Sequence, residues 1–268
     1  MATAKDLRVA PITAKDAVAL IRRVHYSGKV VQNSQLHLGV FLNGRLEGAM
    51  SFGPSLDKRK IVGLVDGTGW NGFIELNRMA FSDALPRNSE SRALAVAFRL
   101  LRKHYPQLEW VVSFSDATQC GDGTIYRASG FVLTGMVESK NLVRLKCGNV
   151  IHKMTLESSP TQARPELGGR SYYEVTGGRD NLQRYIEETG GEVIPGFQMR
   201  YIYFLNPEAR QRLTVPEIPF SRIEQMGAGM YRGQKVSRAK EQDAGHPPAL
   251  GGVTPTCALH IEAEHARR

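Results

Sequence analysis

The sequence contains little cysteine, and what there is does not suggest a cross-linked fold. Its 268 residues include three cysteines, Cys120, Cys147 and Cys257, and none of them belongs to a CxxC pair. An odd and sparse set is not a disulfide framework, and the ligand spacing of a structural zinc site is missing. We therefore expect a protein that works in a reducing compartment.

Long apolar runs are also missing. No stretch approaches the roughly 18 residues that a membrane helix needs. Residues 1–20 lack the apolar block and small-residue cleavage site of a signal peptide, so we expect a cytoplasmic protein. Apolar residues still make up 41% of the chain and aromatic residues 8%, which is enough for a sizeable core.

Acidic residues are outnumbered by basic ones. The chain has 35 Lys and Arg against 26 Asp and Glu, a formal net charge of +9. This balance fits a nucleic acid partner, and a set of well-solvated surface lysines and arginines explains it equally well. Charge alone leaves both interpretations open.

Hydrophobic periodicity predicts alternating strands and helices in the first part of the chain. A strand precedes a helix whose N-cap is Thr13, and Asn43-Gly44 marks the turn of a hairpin. Residues 73–81, FIELNRMAF, predict the next strand. The near-continuous apolar run LEWVVSFSD, residues 108–116, is typical of a strand buried on both faces.

A long helix is expected between these last two strands. Asn88 or Ser89 caps its start. Its predicted apolar stripe consists of Ala93, Val96, Ala97, Leu100, Leu101 and His104. Because the helix crosses from one strand to the next, we expect those strands to be parallel within a mostly antiparallel sheet.

The second half of the chain predicts shorter elements. A hairpin turns at residues 147–149, a helix is capped by Asp180 and ended by Gly190, and a late strand covers residues 197–205. The expected organisation is a single domain over residues 1–231, in which 160–231 form a C-terminal extension. Residues 232–268 are polar and lack periodicity, so we expect a flexible tail.

One stretch combines the elements of a site. In SFSDATQCGDGTIYRASGF, residues 113–131, Asp116 ends the buried strand and Tyr126 lies in a short helix beyond a loop that contains Gly121 and Gly123. Glycine lets the backbone approach a ligand closely. We hypothesise that the acid and the phenol face one pocket from either side of this loop.

The same stretch resembles a known superfamily. Tyr126-x-x-x-Gly130-Phe131 is similar to the Tyr-x-x-x-Gly-Phe element of the GNAT acyltransferases. The resemblance implies an α/β (α+β) fold with a GNAT-like mixed, mostly antiparallel sheet flanked by helices. It also implies acetyl-CoA or a related acyl donor, and a tyrosine that acts as general acid toward the leaving thiolate.

Longer motifs resemble the phage Mom family. They are HYSG, ELNRMAF, PRNSESRALAVAFRLLRKHYP, SFSDATQCGDGTIYRASGFVLTG and MRYIYFLNPEARQRLTVPEIPF, which lie within residues 10–225. The resemblance implies an enzyme that converts adenine in double-stranded DNA to its N6-carbamoylmethyl derivative and so shields phage DNA from host restriction enzymes. It places the protein in the host cytoplasm, and a homodimer stays open.

The resemblance also implies the site residues. His25, Tyr26, Asp116 and Tyr126 match the family's catalytic positions, and Arg78 and Ser91 match positions on the ELNRM strand and at the start of the long helix. With Ser89, Arg78 and Ser91 form the expected cofactor-binding set. The family's link to iron makes Fe(II) a candidate, held by His25, Asp116 and Tyr126.

Elementary chemistry agrees with this set. Adenine N6 is a poor nucleophile, so an acid such as Asp116 has to accept its proton directly or through a water. Tyr126, with an ordinary pKa of about 10, donates to a leaving group or stacks on a base. The structural alternatives are that Asp116 caps the loop amides, that Tyr126 is a core aromatic, and that His25 is a buried structural histidine.

The start of the long helix departs from ordinary GNAT enzymes. Its N-terminal N–H groups and serines fit a phosphate, and ordinary capping explains them equally well. When the GNAT pyrophosphate loop is aligned on Arg87, its glycine positions hold Glu90 and Arg92. Bulky side chains there obstruct a pyrophosphate.

Two rival functions follow from these observations. One is an ordinary acetyltransferase that acts on a protein or small-molecule amine, and the other is an inactive DNA-binding protein. Six basic residues are candidates for contacts with the DNA backbone, although each one alone could be a solvated surface charge: Arg99, Arg102, Lys103, Arg200, Arg210 and Arg212.

Overall fold

The computed structural model describes residues 2–25, 27–116, 123–178 and 180–226, together with the backbone of strand residues 230–231 and 234–235. The described chain forms two compact units. The first contains residues up to 138 and from 196 onward, and the second contains residues 139–195. The predicted extension begins at residue 160, whereas the second unit begins within a strand at residue 139.

The elements follow one another as strand, helix, hairpin, strand, helix and strand, as the sequence predicts. The strands are β1 Arg8–Pro11, β2 Leu36–Leu42, β3 Arg45–Gly53, β4 Phe73–Phe81, β5 Trp110–Asp116, β6 Val132–Arg144, β7 Val150–His152, β8 Glu192–Phe204, β9 Met230–Tyr231 and β10 Gln234–Lys235. The helices are α1 Ala14–Val24, α2 Lys58–Val62, α3 Ser89–His104, α4 Thr124–Ala128, α5 Lys153–Ser158, α6 Tyr172–Thr176, α7 Leu182–Thr189 and α8 Ser221–Gln225. Short 3-10 helices cover Ala4–Asp6, Pro165–Leu167 and Pro207–Arg212.

The main sheet is mixed and mostly antiparallel, which confirms the predicted fold class. Its strands are ordered β1-β2-β3-β4-β5-β8-β6, and β7 follows β6 in the second unit. The β4–β5 pair is parallel because α3 crosses between the two strands, also as predicted. The pairs β1–β2, β2–β3, β3–β4 and β5–β8 are antiparallel.

The local signals for α1 and the first hairpin are confirmed. The backbone N–H of Asp16 donates to Thr13 Oγ1 at 3.2 Å, so Thr13 is the N-cap. Asn43 and Gly44 have φ angles of 50° and 80°. Two consecutive positive φ angles match the right-handed twist of the flanking strands, which is why Asn-Gly marks the turn.

The predicted stripe of α3 is confirmed at Ala93, Ala97 and Leu101, is half-buried at Val96 and Leu100, and is wrong at His104. The buried residues are Ser89, Ala93, Leu94, Ala97, Phe98 and Leu101, and His104 is exposed. The helix is rotated toward Phe98 because that ring stacks on Tyr203 at a centroid distance of 3.9 Å. Its N-cap is Asn88, in the left-handed conformation and without a side-chain capping bond.

The second unit has its own small core, formed by Val143, Leu145, Leu156, Leu167, Tyr172, Val175 and Tyr185. The turn at residues 147–149 is confirmed, since β6 ends before it and β7 begins after it. The predicted cap of α7 was wrong, because Asn181 accepts from the N–H of Arg184 at 3.0 Å and Asp180 binds Lys153 instead. The expected tail lies almost entirely outside the described residues.

Two apolar cores lie on opposite faces of the sheet in the first unit. Leu38 and Val40 of β2 and Met50 and Phe52 of β3 pack with α3, whereas Ala49 and Ala80 pack with α1. Farther along the α1 face, Phe73, Trp110 and Val112 form a third cluster. A polar region of β2, β3 and β4 lies between these last two clusters.

Gly123 is expected to be indispensable for placing α4. Its φ is +73°, and a Cβ there would lie 2.4 Å from the Tyr201 hydroxyl oxygen. Gly44 has a similar φ of +80° with no atom within 4 Å of an added Cβ, so it is a matched control. We expect Gly44→Ala to lower the free energy of unfolding by about 1–2 kcal/mol, and Gly123→Ala to lower it by about 1–3 kcal/mol more. Urea denaturation measures both, and equal losses would contradict the proposed clash.

Candidate active site

The site lies where the parallel strands β4 and β5 separate. Their pairing ends at Glu75 and Val112. Beyond that point β4 continues along β3, where Arg78 faces Ser51, and β5 continues along β8, where Asp116 faces Gln198. A bulge in the β3–β4 register adds to the separation. The carboxyl ends of the two strands therefore leave a split in the sheet.

Ser113 connects the two sides of this split. Its side chain is fully buried. Its Oγ donates to the Leu76 carbonyl at 3.0 Å and shares a second 3.0 Å hydrogen bond with the Tyr126 hydroxyl. Because serine has one proton, the tyrosine donates to Ser113 when Ser113 donates to the carbonyl. The phenol is thus fixed at the split.

Aromatic rings hold Tyr126 in this position. Its ring stacks on Tyr201 at 4.9 Å and meets Phe131 edge-on at 5.2 Å. Since Tyr201 covers one face of the ring, Tyr126 presents its hydroxyl to the split more readily than a face for base stacking. The alternative that Tyr126 packs as a core aromatic is therefore right for its ring, and the function of its hydroxyl stays a prediction.

Asp116 and Tyr126 do not lie on the same face of β5. Trp110, Val112 and Phe114 pack in the cluster on the α1 face, so the alternation of the strand places Asp116 on that face too. Ser113, which binds Tyr126, is on the opposite face. The hypothesis of one pocket shared across the loop is replaced by a split with one residue on each side of the sheet.

His25 approaches the α1 face from the end of α1. The Ser27 backbone N–H donates to its Nδ1 at 3.2 Å, and Ser27 Oγ lies 2.9 Å from the same nitrogen. Nδ1 therefore carries a lone pair, and the neutral ring has its proton on Nε2. Burial, and then the positive charge of Arg78, lower the pKa of His25 from 6.5 to about 3. His25 is a neutral hydrogen-bond donor at physiological pH.

Arg78 is the fixed positive charge of this face. Its Nε is buried and has no hydrogen-bond partner among the described residues. Arg78 is not part of any ion pair among those residues. A buried donor without a partner is costly. Arg78 is therefore well suited to bind an acceptor group of a substrate.

Glu75 is a site residue that the sequence analysis missed. It lies on the same face as Arg78, opposite Gly53 in the β3–β4 register. Burial raises the pKa of its carboxyl, against the lowering effects of Ser55, Asn77 and Arg78. Ser55 Oγ makes no hydrogen bond of ordinary geometry among the described residues, yet it lies near enough to act on Glu75. The signal was present, because an acid interrupts the apolar pattern of FIELNRMAF.

A polar row continues from Arg78 across the sheet. Arg78 faces Ser51, and Ser51 faces His37. His37 Nδ1 lies 2.8 Å from Ser51 Oγ, and Ser51 is almost completely buried. The loop before β2 closes over this region, since Ser34 Oγ donates to Asn77 Oδ1 at 3.2 Å.

The predicted phosphate site at the start of α3 does not fit a pyrophosphate. The buried Ser89 donates its hydroxyl proton to the Pro86 carbonyl, and Ser91 Oγ donates to the Asn88 carbonyl at 3.2 Å. Neither hydroxyl proton is available to a phosphate, and Glu90 and Arg92 occupy the positions of the GNAT glycines. Of the predicted cofactor residues, only Arg78 lies at the split.

Iron does not fit the predicted ligands either. The Tyr126 hydroxyl binds Ser113 on the opposite face of β5 from Asp116, so these two predicted ligands do not converge on one point. Among residues that the structure describes, no group of three or more His, Cys, Asp or Glu could hold a metal ion. Tyr26, the remaining predicted catalytic residue, lies outside the described residues, as do 117–122.

Four of the six predicted DNA-binding residues are engaged within the protein. Arg102 donates to the Leu205 carbonyl at 2.8 Å, and Arg200 donates to the Thr134 carbonyl at 2.7 Å. Arg210 forms a two-point pair with Glu217, and Arg212 pairs with Glu109. Arg99 and Lys103 are exposed on α3.

Comparison with known proteins identifies the family. The Mom protein family matches residues 6–222. The chain belongs to the Mom protein family. A curated member, methylcarbamoylase mom of Escherichia phage Mu, is 37% identical over 217 residues, which cover 78% of this chain and 80% of that protein. The family suggested by the sequence motifs is thereby confirmed.

Several solved acetyltransferases are weakly similar in structure to this Mom family member. The ribosomal-protein-S18-alanine N-acetyltransferase of Escherichia coli is 11% identical, with a TM-score of 0.37 over 74% of this chain and 94% of its own. A GNAT family acetyltransferase of Elizabethkingia anophelis, solved with acetyl-CoA bound, is 12% identical, with a TM-score of 0.38 over 74% and 98%. Likeness at this level carries no argument about donor or mechanism. Among the described helices, none is both long and apolar enough to cross a membrane.

The low pKa of His25 predicts a specific pH dependence. The unfolded chain binds a proton at this histidine near pH 6.5, and the folded chain does so only near pH 3. Stability should therefore fall as the pH falls below about 6.5. In His25→Asn, the amide oxygen can accept from Ser27 but cannot titrate. We expect the wild type to lose about 1–2 kcal/mol more than this variant between pH 7 and pH 5.

Urea denaturation at the two pH values measures this difference. His104→Asn, at an exposed position on α3, is the matched control for the loss of a histidine. Equal losses in the wild type and His25→Asn would show that His25 is not held neutral by the fold.

Proposed function

We propose that this protein is a transferase that places a carbamoylmethyl group on N6 of adenine in double-stranded phage DNA, and that the modified DNA resists host restriction enzymes. Membership of the Mom family supports this proposal. So does the relative from phage Mu, whose name is methylcarbamoylase. For this reaction, the residues at the split have to bind the base, accept the N6 proton and donate a hydrogen bond to the leaving group.

The observation that carries the proposal is the set of groups around Arg78. A buried, unpartnered guanidinium nitrogen, a carboxyl with a raised pKa and a neutral histidine share one face beside the split. A neutral purine offers ring nitrogens as acceptors and an exocyclic amine as donor, so it complements both kinds of group. We call the polar region of β2, β3 and β4 on the α1 face the recess. Adenine can reach it only if the base leaves the stack, at a cost of a few kcal/mol.

Two carboxyls compete for the role of proton acceptor. Asp116 ends β5 on the α1 face, and Glu75 lies where the pairing of β4 and β5 ends. A raised pKa makes Glu75 the stronger base once it is ionised. We assign proton removal from N6 to Glu75, and we keep Asp116 as the acceptor that orients the exocyclic amine.

Tyr126 acts from the other face. Its hydroxyl is held by Ser113 at the point where the strands separate. When Ser113 donates to Tyr126 instead of to the Leu76 carbonyl, the phenol proton is free to bond the atom that accumulates negative charge as the donor of the carbamoylmethyl group reacts. Acetyl-CoA, the donor expected from the GNAT resemblance, would form an N6-acetyl amide and lacks the amide nitrogen of the product. The donor therefore has to carry a carbamoylmethyl group, whose methylene carbon bonds to N6 as its bond to a leaving group breaks, while the N6 proton passes to Glu75.

The reaction can be tested on cellular DNA. We expect plasmid DNA from bacteria that express the protein to yield an adenine nucleoside heavier by one carbamoylmethyl group, detected by mass spectrometry after enzymatic digestion. Glu75→Gln should lower the yield by about 10²–10⁴-fold, because proton transfer contributes that much. Asp116→Asn should lower it by about 10–100-fold, the cost of a lost hydrogen bond to a charged group.

Glu138→Gln is the matched control, since Glu138 is an exposed acid on β6. It should leave the yield unchanged. An unmodified plasmid, with folded wild-type protein in the cell, would disprove the proposed reaction. Acetyl transfer to an amine without any change in DNA would favour an ordinary acetyltransferase.

Tyr126→Phe tests the phenol separately. The variant keeps the ring stack on Tyr201 but removes the hydroxyl that binds Ser113. We expect the yield of modified adenine to fall by about 10²-fold or more, with a melting temperature close to that of the wild type. Tyr105→Phe, in a half-exposed ring after α3, controls for the loss of a phenol. Full activity of Tyr126→Phe would reduce Tyr126 to a core aromatic residue.

A further inference from the structure

We propose that duplex DNA binds to the α1–α2 face of the first unit, and that Leu56 is the wedge that enters the base stack when adenine is extruded. This inference rests on the proposed function and adds the surface and the residue that deliver the base to the site. It is carried by the position of Leu56, by the charges around it and by the arrangement of the two faces of the sheet.

Leu56 lies at the edge of the polar recess. Its relative exposure is 77%, whereas the preceding Ser55 is 5% exposed. Ser55 in turn lies near enough to Glu75 to lower the pKa of that carboxyl. A large aliphatic side chain thus projects into solvent one residue away from a group that lines the proposed adenine site.

The chain around Leu56 is fixed in place. Asn33 Nδ2 donates to the Pro54 carbonyl at 2.8 Å. A Cβ on Gly53 would lie 2.5 Å from the Asn33 carbonyl oxygen, so the loop before β2 presses directly on this segment. Because both segments meet here, the loop that follows α1 and the segment that leads to α2 border the same recess.

Exposed basic side chains lie at the end of α1, in the loop that follows it and on α2. Arg22, Arg23 and Lys29 are exposed at and after the end of α1, and Arg59 is exposed on α2. The one acid of the segment 54–60, Asp57, is paired with Lys60 at 2.8 Å. We call Arg22, Arg23, Lys29, Leu56 and Arg59 the DNA rim. Its excess of positive charge complements the phosphates of a duplex.

A second apolar side chain lies on the same part of the chain. Trp70 is 55% exposed, and Lys58 Nζ lies 4.7 Å from the centre of its ring. Single exposed apolar residues are ordinary on protein surfaces. An exposed leucine among phosphate-binding charges and beside a recess for a base has a specific use, because enzymes that bend or open DNA insert apolar side chains between base steps.

The opposite face offers an internal comparison. Arg99 and Lys103 are exposed on α3, which packs on the other side of the sheet from α1. A duplex that lies along α3 would have the sheet between itself and Glu75, Arg78 and His25. The DNA rim therefore predicts that charge on the α1–α2 face, and not on α3, determines affinity.

Affinity measurements over a range of salt concentrations test the surface. We expect the double variant Arg23→Ala, Arg59→Ala to bind a short duplex at least tenfold more weakly than the wild type, with a salt slope shallower by about two. The double variant Arg99→Ala, Lys103→Ala removes the same charge and should bind within threefold of the wild type. A larger loss in the α3 variant would overturn the proposed surface.

Fluorescence of 2-aminopurine tests the wedge. This adenine analogue is quenched in the stack and brightens when it is extruded, and it is placed in turn at each adenine of the duplex. We expect the wild type to increase the fluorescence at target positions. Leu56→Ala should bind within threefold of the wild type but lose most of that increase, and a duplex with an abasic site opposite the analogue should restore it.

Controls separate the wedge from a general loss of apolar surface. Val137→Ala changes a side chain of 66% relative exposure on β6 and should behave as the wild type. Leu56→Phe should keep most of the fluorescence increase. A full increase with Leu56→Ala, or none with the wild type on any duplex that it binds, would overturn the wedge.

Failure of the wedge and failure of the proposed function give different results. If cellular DNA carries modified adenine and Leu56→Ala modifies it as fully as the wild type, only the wedge is wrong. If the wild type neither modifies cellular DNA nor binds the duplex, the proposed function and the role of Leu56 as a wedge are both wrong.

Discussion

The separation of β4 from β5 is the constraint on which the site depends. Their short parallel ladder ends at Glu75 and Val112, and each strand then follows its other neighbour. A gap in a sheet leaves backbone groups without partners, and Ser113 meets part of that demand by bonding the Leu76 carbonyl and the Tyr126 hydroxyl. The two hydrogen bonds of Ser113 therefore satisfy a backbone carbonyl at the gap and also hold the Tyr126 hydroxyl at its edge.

Desolvation around Arg78 sets the electrostatics of the α1 face. The half-buried guanidinium of Arg78 disfavours a second positive charge, so it adds to burial in keeping His25 neutral. It also lowers the pKa of Glu75, but burial has the larger effect and the pKa of that carboxyl is raised overall. The site therefore combines one cation, Arg78, with a neutral hydrogen-bond donor, His25, and a carboxyl of raised pKa, Glu75. This combination binds an uncharged base better than a phosphate. The exposed positive charges of the DNA rim complement the phosphates of the DNA backbone instead.

Local signals predicted the elements well, because turns and caps depend on a few neighbouring residues. Asn43-Gly44 and Thr13 act through their own backbone geometry and their own side chains. Signals that depend on a distant partner were less reliable. The stripe of α3 rotated toward Phe98 because Tyr203 lies there, and Asp180 did not cap α7 because Lys153 binds it. Arg102, Arg200, Arg210 and Arg212 could be named from charge. Whether each guanidinium is engaged internally depends on its partner, which is Leu205, Thr134, Glu217 and Glu109 in turn.

The sequence by itself determined the family, the order of the strands and helices, and most of the residues at the split, since these follow from motifs and from periodicity along one chain. Only the tertiary structure decided which of those residues share a face. Side chains alternate between the two faces of the sheet along β5, so Asp116 and Ser113 lie on opposite faces. Glu75 lies at the edge of the split because the β4–β5 pairing ends there. Pairing between distant strands fixes which side chains lie together, and hydrogen-bond register between strands far apart in sequence is not encoded in any short stretch of either strand.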